Sequence, residues 1–257
     1  MRGTTPLPPV GPVEPAGPAL REIAGWIAER LRGSEQAPSI EAAVLTGSVL
    51  CGDASSRSSD IDLSLFVRDD PADPEWIAFA RRLRAGIPDL SVHIDRLAGF
   101  ADRAPLLACR LRAEQLPLLG RIGEAELPWP SVRCLRSAGL IWAQQTANQV
   151  QQRLIREDLR VADPLALAWQ CSKLCLDALR FRLLVRGGRT TDAPALVARV
   201  TAHPPLAAGW GDAFLVMYDI AREFRPPPAD PSRAAALHVA VAIAAVRGAQ
   251  DELTKAG

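Results

Sequence analysis

The alternating run at residues 59–67, SDIDLSLFV, constrains the fold of this 257-residue chain more than any other stretch. Successive side chains of a β-strand point to opposite faces, so residues two apart share a face. We therefore predict that Asp60 and Asp62 project together from one face of a strand. The other face is apolar and is expected to be buried; it is formed by Ile61, Leu63, Leu65 and Val67. Neighbouring carboxylates repel each other, and bound cations relieve that repulsion, so the polar face predicts a cation site.

A second short motif precedes this strand. The run at residues 42–46, AAVLT, predicts another strand, and Gly47 and Ser48 follow it directly. Backbone N–H groups and a hydroxyl at such a turn can hold a phosphate. Arg57, in the small-residue loop between the two strands, is placed to reach a phosphate as well. The two motifs together predict a site for cations and phosphates.

Gly47-Ser48, Gly52 and the run Ser59-Asp60-Ile61-Asp62-Leu63 resemble the signature of the DNA polymerase β-type nucleotidyltransferase superfamily. The chain is most similar to the small bacterial enzymes that adenylylate aminoglycosides and to minimal nucleotidyltransferases. The resemblance covers about residues 19–120. It implies a small mixed sheet flanked by helices, two Mg²⁺ ions, and ATP or another nucleoside triphosphate as substrate. It also implies that Asp60 and Asp62 bind both ions, and that Gly47 and Ser48 hold the outer phosphates.

A later strand is predicted at residues 90–97, LSVHIDRL, with His93 and Asp95 on its polar face. The superfamily carries a third acidic residue on a later strand, and Asp95 matches that position as a further metal ligand and catalytic group. Asp89 is the competing candidate, in the turn before the strand. His93 is expected either to tune the metal site or to form a nearby hydrogen bond.

The second half of the chain predicts a helical bundle. We expect a Pro-rich disordered tail at residues 1–18, a nucleotidyltransferase domain at 19–128 and an all-helical domain at 131–257, with Pro128 and Pro130 at the boundary. The fold class is therefore α/β (α+β) followed by a bundle. The predicted helices of the bundle cover residues 132–159, 164–186, 193–201, 213–224 and 232–253.

The bundle also carries candidate site residues. Lys173 is predicted to face the triphosphate. A general base for the acceptor hydroxyl can come from a carboxylate of the bundle. The candidates that the sequence leaves open are Glu157, Asp158, Asp177, Asp219 and Glu223. The alternative for Asp177 is an ion pair with Arg180, about one turn further along the helix.

Composition narrows the partners and the compartment. The net charge is +1, from 30 basic and 29 acidic residues, which argues against a large basic surface for duplex nucleic acid but leaves room for a local patch. The five cysteines form no Cys-x-x-Cys pair, which favours buried free thiols in a reducing cytoplasm. The N-terminus does not resemble a signal peptide, and the apolar run 234–246 is too short to span a bilayer. We expect a cytoplasmic protein without a membrane partner.

The predicted reaction is transfer of a nucleoside monophosphate, first of all AMP from ATP, to a hydroxyl of a small-molecule acceptor, with release of pyrophosphate. Two alternatives stay open. The acceptor can be a protein or RNA partner, as in a toxin–antitoxin pair, or the chain can be a non-catalytic nucleotide-binding regulator. The turn Gly187-Gly188-Arg189 lacks the Ser-Lys that commonly follows the Gly in drug-modifying relatives, so the nature of the acceptor is open too.

Overall fold

A computed structural model describes residues 18–47, 50, 61–87, 89–156, 163–189 and 191–255. Its described strands form one mixed four-stranded sheet in the order β3-β2-β1-β4. β1 runs antiparallel to β2 and to β4, whereas β2 and β3 are parallel. The strands are β1 Ile40–Thr46, β2 Ile61–Val67, β3 Leu90–Asp95 and β4 Leu116–Leu119. The predicted mixed sheet is confirmed, while most of the Pro-rich tail lies outside the described residues.

Two helices cover the apolar face of the sheet. Helix α1 spans Pro18–Arg32, and α2 spans Pro74–Gly86 and connects β2 to the parallel β3. The chain starts α2 with proline in the first turn and with Asp73, whose carboxylate accepts the backbone N–H of Glu75 at 2.9 Å. The predicted buried face of β2 packs in this layer, as its four members Ile61, Leu63, Leu65 and Val67 all belong to that core cluster.

The opposite face of the sheet is covered only in part. Helices α3 (Phe100–Arg103) and α4 (Pro105–Ala113) lie over it, and their apolar side chains form a core cluster with Val44 and Phe66. The rings of Phe66 and Phe100 meet edge to face with centroids 4.9 Å apart. Two polar residues of the same face, Thr46 and Asp62, lie outside this cluster, at the end of the sheet where β1 ends and β2 begins.

The C-terminal part is helical, as predicted. Its helices are α5 Val132–Arg156, α6 Pro164–Val185, α7 Ala193–Ala202, α8 Gly211–Ala221 and α9 Pro231–Lys255. They share a core cluster of their own. Helix α4 connects this bundle to the sheet, because Cys109 on α4 packs with Leu135 on α5 and Leu184 on α6.

The described cysteines agree with the prediction of free, mainly buried thiols. Cys109, Cys171 and Cys175 are buried and Cys134 is half-buried, and none of these is in a disulfide. Burial raises the pKa of the Cys109 thiol and that of the Cys171 thiol to about 12. These thiols are therefore protonated and unreactive at neutral pH.

Helix α9 is long and apolar enough to cross a membrane if only length and composition are counted. Half of this stretch, 50%, is buried within the protein. Central helices of soluble bundles have the same character, so the fold is compatible with a soluble protein.

Candidate functional site

Gly47 and Asp62 meet at the end of the sheet where β1 stops and β2 starts. Thr46, the last residue of β1, pairs with Asp62. Gly47 follows with φ 101°, a backbone conformation that favours glycine. A Cβ atom added to Gly47 would lie 2.6 Å from Oδ2 of Asp62. The carboxylate therefore lies directly against the Gly47 backbone, and any side chain at position 47 would displace it.

Thr46 is the neighbour of Asp62 on the adjacent strand. Paired residues of neighbouring strands share a face, so Thr46 and Asp62 project to the same side. Thr46 is 1% exposed, and within the described part of the chain its Oγ1 has no hydrogen-bond partner. The Asp62 side chain is 38% exposed. The site thus combines a solvent-accessible carboxylate with a buried hydroxyl that has hydrogen-bonding capacity to spare.

An arginine approaches the same carboxylate from α4. Nη2 of Arg110 lies 3.8 Å from Oδ2 of Asp62, and the Arg110 side chain is 25% exposed. The distance is that of an ion pair and exceeds the range of an N–H···O hydrogen bond. Sequence patterns alone did not mark Arg110 as a site residue.

The two candidates for the third carboxylate, Asp89 and Asp95, lie at different positions along the strand direction relative to Asp62. Asp62 pairs with Ser91 on β3, whereas Asp95 pairs with Phe66. Asp95 thus shares the face of Asp62, as predicted, but lies four residues past Ser91, about 13 Å along the strand. Asp89 lies two residues before Ser91 and is exposed, and its carbonyl accepts the N–H of Ile61 at 3.0 Å. Of the two, Asp89 is therefore nearer to Asp62 along the sheet.

Asp95 has local partners of its own. Its Oδ1 accepts hydrogen bonds from Nη2 of Arg103 and from the backbone N–H of Arg96, both at 2.7 Å. Nε2 of His93 lies 3.6 Å from its Oδ2. These contacts fix the loop that leaves β3, and they account for the proximity of His93 and Asp95 without a metal.

Several predicted site residues lie outside the described residues. They are Ser48, Arg57, Asp60, Glu157 and Asp158. Of the predicted site residues in the two N-terminal motifs, the structure therefore shows Gly47 and Asp62, which it brings together.

The predicted site residues of the bundle have contacts within the bundle. The ammonium of Lys173 is exposed and lies 5.1 Å from the ring centroid of Trp169. Asp177 forms the ion pair that was its alternative interpretation, since its Oδ1 accepts from Nη1 of Arg180 at 2.7 Å. Asp219 and Glu223 lie at the C-terminal end of α8.

A buried hydrogen bond links α4 to the bundle. Glu114, one turn beyond Arg110, is 6% exposed, and its Oε1 accepts from the hydroxyl of Thr191 at 2.6 Å. The carbonyl of Thr191 accepts from Nε of Arg180 at 2.7 Å. Through these bonds the helix that carries Arg110 is connected to Asp177.

No protein-family model matches the chain, and no curated protein has a significantly similar sequence.

Asp62 suits a hard divalent cation in its chemistry. Carboxylate oxygens are preferred ligands of Mg²⁺, and the Thr46 hydroxyl beside Asp62 adds an oxygen without a described partner. Among the residues described, no group of three or more His, Cys, Asp or Glu side chains is placed to hold a metal. At this end of the sheet the described residues therefore offer one accessible carboxylate, that of Asp62.

Sequence analysis missed Thr46 and Arg110, although each left a weak signal. Thr46 is the polar residue that ends an otherwise apolar strand, directly before Gly47. Arg110 stands in α4 between the buried residues Cys109 and Leu111. A charged residue between buried neighbours often has a partner, but the sequence does not identify that partner as Asp62.

Proposed function

We propose that the chain is a Mg²⁺-dependent nucleotidyltransferase, which transfers a nucleoside monophosphate, AMP from ATP in the first instance, to a hydroxyl of a small acceptor. The observation that carries the proposal is the contact between Gly47 and the Asp62 carboxylate, 2.6 Å from the position of an added Cβ. It joins the phosphate-binding turn and the acidic strand, which were separate motifs in the sequence. The accessible carboxylate and the buried Thr46 hydroxyl add support.

In this proposal each residue has one task. Asp60 and Asp62 hold two Mg²⁺ ions, and Gly47 and Ser48 position the outer phosphates of the triphosphate, with Arg57 and Lys173 as further phosphate contacts. When bound, the ions would lower the pKa of the attacking hydroxyl and neutralise the charge that develops on the phosphoryl group. Asp62 would hold them from β2, where its backbone is fixed by pairing with Thr46 and Ser91. We place the enzyme in the cytoplasm.

The third carboxylate is Asp89 or Asp95. The strand register favours Asp89, since Asp95 lies about 13 Å beyond the level of Asp62 and is bonded to Arg103. The face of the strand, and the likeness to the superfamily, favour Asp95.

The test is pyrophosphate release from each nucleoside triphosphate, with Mg²⁺ and a panel of hydroxylated small molecules. We expect Asp62→Asn to reduce the rate to background. The loss in Asp89→Asn compared with that in Asp95→Asn identifies the third ligand. An Asp62→Asn variant as active as the wild type would refute the proposal, and so would a wild type that does not bind nucleotide in the presence of Mg²⁺. A labelled protein or RNA product would point to the macromolecular acceptor instead.

A further inference from the structure

Arg110 differs from the other arginine–carboxylate pair on the same face of the sheet. Its Nη2 is 3.8 Å from Asp62, and its Nε is buried without a hydrogen-bond partner among the described residues. Arg103, in contrast, donates to Asp95 at 2.7 Å and to the carbonyls of Ala98 and Arg96, each at 2.7 Å. Arg103 thus makes several structural hydrogen bonds, whereas Arg110 has a buried Nε without a described partner and lies next to an accessible carboxylate.

A buried donor without a partner is costly, but Arg112 on the same helix has one too. What distinguishes Arg110 is that its guanidinium also lies beside the accessible carboxylate of Asp62. Arg110 and Thr46 both have a buried polar atom without a described partner, and both lie beside Asp62. A planar guanidinium pairs best with carboxylate or phosphate oxygens, to which it donates two hydrogen bonds at once. An anion rich in oxygen, next to Asp62, would supply such acceptors.

The position of Arg110 also affects any cation at Asp62. A divalent cation on this carboxylate comes close to a guanidinium of the same sign of charge, and the repulsion weakens binding of the cation alone. A polyphosphate that contacts both the cation and the guanidinium reverses this effect, because it is attracted by each.

We propose that Arg110 is a polyphosphate-binding residue, which makes cation binding at Asp62 conditional on the phosphate ligand. Without ligand the guanidinium is held by Asp62. With a polyphosphate it donates to phosphate oxygens, and the cation binds to the carboxylate of Asp62. The assignment of the ligand as the triphosphate of a nucleotide rests on the proposed function. The position of Arg110 beside Asp62 does not.

The test measures two affinities with opposite expected changes. Mn²⁺, a spectroscopic substitute for Mg²⁺, is titrated alone by electron paramagnetic resonance, and tripolyphosphate is titrated by calorimetry in the presence of Mn²⁺. In Arg110→Gln we expect Mn²⁺ alone to bind about fivefold more tightly, as one repelling charge is removed. We expect tripolyphosphate to bind at least about tenfold more weakly, as charge-assisted hydrogen bonds are lost.

Two further variants control for structural effects. Arg112→Gln, on the same helix, removes an arginine whose Nε is also buried without a described partner but whose guanidinium pairs with the exposed Glu124 at 3.6 Å and not with Asp62, so both affinities should stay at the wild-type values. Arg110→Lys keeps the charge but loses the planar pair of donors, so Mn²⁺ alone should bind as in the wild type and tripolyphosphate more weakly. This variant keeps the test decisive if Arg110→Gln does not fold.

The proposal is overturned if Arg110→Gln weakens both affinities or changes neither, or if the wild type does not bind tripolyphosphate with Mn²⁺. Its failure can be told apart from that of the proposed function. If pyrophosphate release depends on Asp62 but the affinity for tripolyphosphate does not depend on Arg110, this inference is refuted and the proposed function stands. The predicted dependence on Arg110, with no turnover of any nucleoside triphosphate, supports it and counts against the transferase.

Discussion

The contact between Gly47 and Asp62 can be tested without knowledge of any substrate, by the substitution Gly47→Ala. The new methyl group would lie 2.6 Å from Oδ2 of Asp62, well inside the 3.4 Å at which ordinary contacts begin. It would also hold alanine at φ 101°, which costs about 1–2 kcal/mol. With about 1 kcal/mol more for the collision, we expect a loss of about 2–3 kcal/mol in the free energy of unfolding, or about 4–12 °C in Tm.

A double-mutant cycle separates the two contributions. In an Asp62→Ala background the atom of residue 62 nearest the new methyl group is Cβ, at 3.6 Å, which is ordinary contact. Gly47→Ala should then cost only the backbone strain, so the two substitutions should couple by about 1 kcal/mol. Gly187→Ala is the matched control, since Gly187 has φ 82° and no atom within 4 Å of an added Cβ.

Urea unfolding followed by circular dichroism gives the four free energies of the cycle. Additivity of Gly47→Ala and Asp62→Ala within about 0.3–0.5 kcal/mol would refute the contact. So would a cost of Gly47→Ala no larger than that of Gly187→Ala. Either result would remove the observation on which the proposed function depends.

Two other predictions concern the bundle. Thr191→Val removes a hydrogen-bond donor to the buried Glu114 and should lower the free energy of unfolding in urea by about 1–3 kcal/mol. The control Thr201→Val, at an exposed hydroxyl, should lower it little. Equal losses in the two variants would contradict a buried hydrogen bond between α4 and the bundle. Burial lowers the pKa of His238 below its ordinary value of 6.5, so the unfolded chain binds more protons and stability should fall as the pH drops below about 6.5, by up to about 1.4 kcal/mol per pH unit. His238→Leu should lessen this slope relative to the exposed control His203→Gln, and an unchanged slope would assign the acid sensitivity to other groups.

The face of the sheet on which each side chain lies was predictable, because side chains alternate between the two faces of a strand and this alternation depends only on local geometry. The alternation of polar and apolar residues in β2 and β3 correctly placed Ile61 and Leu63 in the core and put Asp62 and Asp95 on the opposite face. Helix positions were predictable for a similar reason, since apolar periodicity and proline mark them locally. The described helix ends differ from the predicted ones by a few residues at most, and the predicted end of the first bundle helix, residue 159, lies outside the described residues.

The strand register was not predictable from the same pattern. It depends on where α2 returns the chain to the sheet, which is decided by the packing of Trp76 and Phe79 in the core. For this reason Asp95 lies on the same face of the sheet as Asp62 but is not beside it along the strand direction. Likewise, the approach of Arg110 to Asp62 depends on how α4 lies across the sheet, which no local pattern encodes.

Helix α4 belongs to two environments at once. Within its nine residues it carries Arg110 beside the sheet and Cys109 in contact with the bundle, and Glu114 directly follows it with its bond to Thr191. A shift of the bundle that carried this short helix with it would change the distance from the guanidinium to Asp62. Thermodynamic linkage would then act in both directions. A molecule that favoured one position of the bundle would alter the affinity of a ligand at Asp62, and that ligand would alter the affinity for the molecule by the same factor.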